Sequence, residues 1–592
     1  MEDSRIERFL ERRAVVLALF AFLSVLLTLP LAFRFTSALP YGSGDVWQNY
    51  WNLWWWKKAL FDLHVHPYHT NLLFYPHGAD LIFHTHSPFN MLATMPVNWY
   101  FGLAAAYNAS VLLALTLSGY GGWKLGREIT GDARAGFLSG LIFAFFPQHL
   151  EQTLEHINLF STQFLPWALY YLVRLVRQGG LRPALGLGIT FGLNALCSWH
   201  LGIKLAATCL VVAAAVWSSS RRPAGKVFRE LLLAAFTAAL VVGPFVAPLI
   251  VEIGEGARYY QKPPADRGID PAYLLTPHFG QPLWGGLVTG RYIDRAYQAS
   301  GFICYLGFVP LALAALAVAR RRRGVLLWGG LALGSLIFAL GSPMWWNGRL
   351  LEGLWLPFDL LRHAPGLSVL RVANRFLILT SLALGVLAAI GWTSLRKRSD
   401  GRFLLVGGLI LLEYAWLPFP MQKVDFAPSY QQMLDGPLLR IGAVLDIPFH
   451  QRNRTVHNMA AQTVHGRPIA AGYLSTFPPD DDAFIANDPA LSDLADVPKL
   501  ERPIDFRRLI QLGFDTIILH KYRADSYGKK AVAAVPRDHL LERKEALRLG
   551  GVPDEKLAEV RRQLEEHAGA AAFEDDRIAI FYLRAGTRSP VR

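Results

Sequence analysis

Eleven apolar runs of helical length crowd the first 420 residues, at roughly 14–33, 104–123, 133–147, 157–177, 183–199, 201–217, 228–251, 300–319, 325–341, 370–394 and 402–419. No water-soluble core absorbs that many. In hydrocarbon each backbone N–H and C=O must be satisfied within its own segment, so a run of this kind is driven into a helix. Composition agrees. Of 592 residues, 53% are hydrophobic and 18% charged, and the mean hydropathy is +0.26. The expectation is a polytopic α-helical membrane protein of about eleven spans with a smaller water-facing part. The apolar stretch 88–102 is broken by Pro88, Pro96 and Asn98. It reads as a re-entrant or interfacial piece rather than a twelfth span.

The formal charge of +14 suggests nucleic acid only until the charges are located. They gather in short gaps between apolar runs: Lys124, Arg127 and Arg134; Arg174, Arg177 and Arg182; Arg221, Arg222, Lys226 and Arg229; Arg320 to Arg323; Arg396, Lys397, Arg398 and Arg402. This is the bias of cytoplasmic loops in membrane proteins. The opposite loop, 148–156, has no Lys or Arg. Arg5, Arg8, Arg12 and Arg13 precede an apolar run too long for a secretory signal. It reads as a retained first helix with its N-terminus in the cytoplasm. Cys197, Cys209 and Cys304 lie in or beside apolar runs and form neither a disulfide framework nor a metal-thiolate spacing.

Counting from an inside start places three segments on the outer side: 34–103, 252–299 and the tail 421–592. The domain reading is a membrane domain over 1–420, with 34–103 and 252–299 as its large outer loops, and an extracytoplasmic domain over 421–592. The tail is charged and carries short β-type runs, "GAVLDIPF" (442–449), "FDTIILH" (514–520) and "IAIFYL" (578–583), with a helical stretch at 553–567. It is expected to be a small α/β domain. His457, His465 and His520 read there as surface or fold residues.

The stretch "YGSGDVWQNYWNLWWWKKAL" (41–60) follows the first apolar run. Trp47, Trp51, Trp54 and Trp55 share one helical face, which suggests an interfacial helix on the outer leaflet. Asp45 precedes it, with Gln48 three residues on, as in a capping box. Gly42 and Gly44 would let a substrate approach the backbone. His64, His66, His69, His77, His84 and His86 follow, with His84 and His86 the most plausible substrate contacts. Glu155 and His156 mark the outer end of a span beside Glu151. Arg371 and Arg375, with Arg362 and His363 nearby, stand one helical turn apart where the tenth span begins. A guanidinium there either snorkels or clamps a phosphate.

Several longer stretches carry a resemblance. They are "NLLFYPHGADL", "SPFNMLATMPV", "AAYNASVLLALTLSGYGGWKLGREITG", "GLIFAFFPQHLEQTLEHINLFSTQFLPWAL", "GLSVLRVANRFLIL" and "GAVLDIPF" with "AAQTVHGRPIAAGYLS". With a first helix followed by an acid-bearing outer loop, they resemble the GT-C superfamily of integral-membrane glycosyltransferases, in particular bacterial members with an extracytoplasmic tail. The resemblance implies that Asp45 is the catalytic base or a metal ligand. It implies a polyprenyl-phosphate sugar donor and an extracytoplasmic glycan, lipid or protein acceptor in the bacterial cytoplasmic membrane; a single displacement with one base is expected to invert the sugar. His84, His86, Glu155, His156, Arg371 and Arg375 become substrate-binding candidates. No metal ligand set is assigned, and a divalent metal cofactor stays open. No nucleic-acid partner is expected. A transporter or flippase of lipid-linked sugars and a non-catalytic envelope scaffold are the alternatives. The first would show inverted repeats, and none is evident.

The topology is checked by cysteine accessibility. Asp45→Cys, Glu155→Cys and Arg371→Cys, each in a background lacking the native cysteines, should all react with a membrane-impermeant maleimide from the same, outer side.

Overall fold

The computed structural model describes residues 5–42, 44–255, 268–291, 303–364, 367, 370–395, 399–435, 442–449, 452–475, 479–495, 502–521 and 554–583. Arg396 to Arg398 and parts of the 252–299 segment lie outside them, as do the side chains of Arg362 and His363. Two compact units emerge: one within 1–40, 86–256 and 261–421, the other drawn from 41–85 and 422–592. Residues 41–85, read from sequence as part of a loop of the membrane domain, thus cluster with the tail.

In the first unit every apolar run contains a helix: Arg13–Leu27, Met95–Thr130, Ala133–Ala144, Phe164–Gln178, Leu181–Cys197, Trp199–Ser218, Ala224–Gly254, Phe308–Ala319, Val325–Ala339, Leu377–Trp392 and Asp400–Tyr414. Among the described residues, four helices are long and apolar enough to cross a membrane: Met95–Thr130, Trp199–Ser218, Ala224–Gly254 and Ala373–Trp392. The 88–102 stretch forms Pro88–Ala93 and the head of Met95–Thr130. Gly102, at φ 84 and ψ 179, breaks that head from the rest, a conformation essentially confined to glycine.

Glycine also sets how closely these helices pack. A Cβ on Gly140 would lie 2.3 Å from the Gly119 carbonyl, and one on Gly122 would lie 2.9 Å from Gly140 Cα. Small residues let backbones touch where lipid supplies no hydrophobic drive. Several polar groups are paired inside this packing. Asn90 Nδ2 donates to Ser87 Oγ and Ser161 Oγ, both at 2.7 Å, and Ser87 Oγ donates to the Cys197 carbonyl at 2.9 Å. Arg134, read from sequence as an ordinary loop charge, is buried. Its guanidinium meets Glu7 at 2.8 Å, Asp400 at 3.5 Å and Asp132 at 4.0 Å. Asp132 also caps the helix that follows, accepting from the Arg134 and Ala135 amides.

The second unit is built on a four-stranded sheet of β1 (Ala443–Ile447), β2 (Phe514–His520), β3 (Phe573–Glu574) and β4 (Ile578–Tyr582), in the order β1-β2-β4-β3. β1 and β2 are parallel, and β4 runs antiparallel to both β2 and β3. β2 is central and almost wholly buried, so its apolar residues run on rather than alternate. The predicted charged helix spans Asp554–Ala568. It is laced by Arg562 to Glu559 and Glu566 and by Arg561 to Glu565.

The tryptophan helix, Gly44–Lys57, corrects the interfacial expectation. Trp51, Trp55 and Trp56 are 2% exposed or less. The face packs on the helix Arg452–His465, where Trp51 Nε1 donates to Gln462 Oε1 at 2.7 Å and Trp47 meets His457 at 5.5 Å between ring centroids. Gln462 Nε2 in turn donates to the Leu72 carbonyl at 2.6 Å and the Arg467 carbonyl at 2.8 Å. Helical Trp spacing looks the same whether the face meets lipid or protein. Here the partner lies some four hundred residues away in sequence.

Trp51→Ala should cost about 3–5 kcal/mol through the cavity it leaves and the orphaned Gln462 acceptor. The check is a lower melting temperature of the purified protein than Trp54→Ala gives, Trp54 being only half-buried.

Candidate functional site

Asp45 lies inside the first turn of the tryptophan helix rather than ahead of it, where the helix dipole favours an anion. Its Oδ1 accepts from the Tyr473 hydroxyl at 2.8 Å. Gln48 Nε2 donates to the Tyr473 carbonyl at 2.8 Å, and Asn49 Nδ2 to the Asp45 carbonyl at 2.8 Å. The expected capping box gives way to this clasp on Tyr473. Gly44 does not open the backbone to a substrate. A Cβ there would lie 3.3 Å from Val456 Cγ1 and 3.7 Å from the Tyr473 ring, so it makes room for the C-terminal segment.

His84 is buried in the same network. Its Nδ1 accepts from the Ser475 amide at 3.1 Å, and its Nε2 lies 3.0 Å from Asn52 Oδ1. An acceptor at Nδ1 assigns the ring proton to Nε2, which donates to Asn52. Thr85 N donates to Ser475 Oγ at 3.1 Å. Residues 473–475 are thereby pinned to both Asp45 and His84. Other histidines of the stretch have local partners. His69 Nδ1 lies 2.9 Å from Asp80 Oδ1 across the hairpin His69–Thr70/Ala79–Asp80. His77 packs on Phe484 at 4.3 Å. His66 Nδ1 accepts from the Tyr68 amide at 3.3 Å, and burial holds His66 below the usual imidazole value. Among the described residues, no three or more His, Cys, Asp or Glu side chains converge as a metal site needs.

His86, Glu155, His156, Arg371 and Arg375 belong to the first unit. His86 is buried, and the others are half-buried. Glu155 Oε2 lies 3.7 Å from His156 Nδ1, in the turn between Pro147–Thr153 and Ile157–Phe160. Arg371 and Arg375 do not share a helical face. Val372 is extended, at φ -109 and ψ 104, and Ala373–Phe376 is a 3-10 turn ahead of Leu377–Trp392. That turn is held from two sides. Gln148 Nε2 donates to the Asn374 carbonyl at 2.8 Å, and Lys204 Nζ donates to the Arg375 carbonyl at 2.9 Å while lying 4.4 Å from the Phe376 ring centre. Gln148 belongs to the short helix Pro147–Thr153, which is thereby tied to the turn carrying Arg375. Lys204 was overlooked, although a single Lys inside an apolar run is a visible signal. Tyr473 carries no such signal. An apolar cavity of about 590 Å³ opens among Leu181–Cys197, Trp199–Ser218 and Ala224–Gly254, lined by residues such as Leu187, Phe191, Ala206, Leu210 and Ala238.

A family model described as Domain of unknown function (DUF6311) matches residues 15–413. A search of curated proteins finds no match. Among solved structures, the arabinofuranosyltransferase AftD from Mycobacteria is similar at 15% identity and a TM-score of 0.54, over 88% of this chain and 35% of that one. The chain thus spans about a third of that protein's length. The archaeal oligosaccharyltransferase AglB from Archaeoglobus fulgidus, in complex with an inhibitory peptide and a dolichol-phosphate, matches at 12% identity and 0.46, over 88% and 70%. ArnT from Cupriavidus metallidurans matches at 14% and 0.46, over 88% and 93%.

Of the three tail histidines singled out from sequence, His465 and His520 are buried and His457 is half-buried. His520 Nε2 lies 2.7 Å from Asp446 Oδ1, both buried. His465 stacks on Tyr430 and accepts from the Arg467 amide at 3.2 Å. Burial pushes His465 down to about 4; Asp446 pulls it up and Arg467 pushes it further down. Between that value and the ordinary 6.5 the unfolded chain binds a proton that the folded one refuses. Stability therefore rises with pH across this window, and about 3 kcal/mol is lost as pH falls through it. His465→Phe should flatten the slope of unfolding free energy against pH between 4 and 6.5, read by denaturant titration.

Proposed function

This chain belongs to the DUF6311 family and has a GT-C-like fold, and on that footing we propose that it is a membrane glycosyltransferase. It takes a sugar from a polyprenyl-phosphate donor and delivers it to an extracytoplasmic glycan, lipid or protein. The observation that carries the reading is a carboxylate, Asp45, clasped at the head of the helix that follows the first hydrophobic helix, in a fold shared with a known glycosyltransferase.

Asp45 takes the proton of an acceptor hydroxyl as that oxygen bonds to the anomeric carbon. The bond from that carbon to the phosphate oxygen breaks, and its electron pair leaves with the polyprenyl phosphate. One displacement inverts the sugar. Arg371 and Arg375 stabilise the phosphate as its charge develops, and Lys204 and Gln148 set the turn that carries Arg375. His86, Glu155 and His156 contact substrate, whereas His84 holds the clasp. The apolar cavity suits the hydrocarbon part of a lipid donor. The chain crosses the bilayer about eleven times with a cytoplasmic N-terminus, and the 421–592 region lies outside. The placement of Lys and Arg between apolar runs supports this orientation.

Asp45→Asn should lower kcat for transfer from radiolabelled polyprenyl-phosphoryl pentoses or hexoses to envelope extract by about 10²–10⁴-fold. Arg375→Ala should raise the donor KM about tenfold or more. Undiminished transfer by Asp45→Asn would remove Asp45 as the base.

A further inference from the structure

We propose that Tyr473, from the C-terminal segment, is the positioning residue for Asp45: its phenol keeps the carboxylate ionised and fixes the rotation of that side chain. The proposal rests on the reading of Asp45 as the base.

Three contacts hold Tyr473 in register with the tryptophan helix. Its hydroxyl donates to Asp45 Oδ1 at 2.8 Å. Its carbonyl accepts from Gln48 Nε2 at 2.8 Å, one helical turn along from Asp45. Its ring lies 3.7 Å from where a Cβ of Gly44 would stand, ordinary van der Waals range, so the ring rests against the start of the helix. Two residues on, Ser475 is fixed by the His84 ring and the Thr85 amide. The segment is therefore held at Tyr473 and two residues beyond it.

A general base must be an anion at working pH and must point at the proton it removes. An O–H donor bonded to a carboxylate favours the ionised form. It also stops the carboxylate turning about its last torsion, which is broad for Asp when nothing holds it. Tyr473 supplies both effects. A Phe would keep the ring, the Gly44 contact and the Gln48 bond while removing the one oxygen that matters. The acid and the residue that orients it thus come from the two stretches that make up the second unit.

The test uses the full-length protein in lipid nanodiscs, comparing wild type, Tyr473→Phe and Asp45→Asn, with melting temperatures confirming that each is folded. N,N′-dicyclohexylcarbodiimide reacts with protonated carboxyls, so labelling of Asp45 against pH, read by mass spectrometry, reports its titration. Tyr473→Phe should raise that midpoint by about one pH unit. In the transfer assay the acid limb of the pH profile should move up by the same amount. At pH values below the wild-type midpoint kcat should fall about tenfold, while donor KM stays put and the rates converge at alkaline pH. A merely structural residue would depress the rate equally at every pH. An unchanged labelling midpoint in Tyr473→Phe overturns the proposal. Full transfer by Asp45→Asn overturns the base reading instead, and the labelling arm still decides whether Tyr473 governs the carboxylate.

Discussion

The second unit depends on one amide. Gln462 is fully buried, and its side chain accepts from the Trp51 indole and donates to the carbonyls of Leu72 and Arg467. Three distant stretches meet there: the tryptophan helix, the chain beside the small hairpin, and the loop leading away from the 452–465 helix. A satisfied polar group inside an apolar core specifies register as well as adding stability, because a shifted register leaves it unpaired. Fixing Trp51 fixes the helix, and fixing the helix fixes Asp45 in its first turn. Bonds from Tyr75 N to the Ile469 carbonyl and from Ile469 N to the Leu72 carbonyl complete the seam.

The first unit solves another problem. Its apolar helices gain little from one another through water exclusion, so contact must come from close packing and a few internal polar bonds. The glycines of Met95–Thr130 and Ala133–Ala144 supply the first. Asn90, Ser87, Ser161 and the Cys197 carbonyl supply the second. The 3-10 turn bearing Arg375 is placed by bonds to its own carbonyls from Gln148 and Lys204. Its backbone is thus held through its own carbonyls.

Much of this was legible in the chain. Each apolar run became a helix, because run length and the need to satisfy the backbone leave few alternatives. The strands at 443–447, 514–520 and 578–582 fell where β-branched and aromatic residues cluster. What sequence hides is the identity of the partner. A stripe of tryptophans four apart reads as a lipid anchor until the Arg452–His465 helix is seen against it. Arg134 looked like one loop charge among many until three carboxylates closed on it. Tyr473 carries no charge and no motif, and only the fold shows that it reaches Asp45. Lys204 was in plain view inside an apolar run and could have been singled out.

Arg134 has a consequence for what changes the chain can absorb. Three acids surround one base, so the group is already short of positive charge. Losing any single carboxylate relaxes like-charge repulsion and leaves the guanidinium two partners. Losing the arginine removes the cation that Asp132, Glu7 and Asp400 share, with Asp132 the most buried of the three. The knot is lopsided: drift in descendants of this chain can thin Glu7 or Asp400 one at a time, while Asp132, which also caps a helix, and the base they share are the members that must stay.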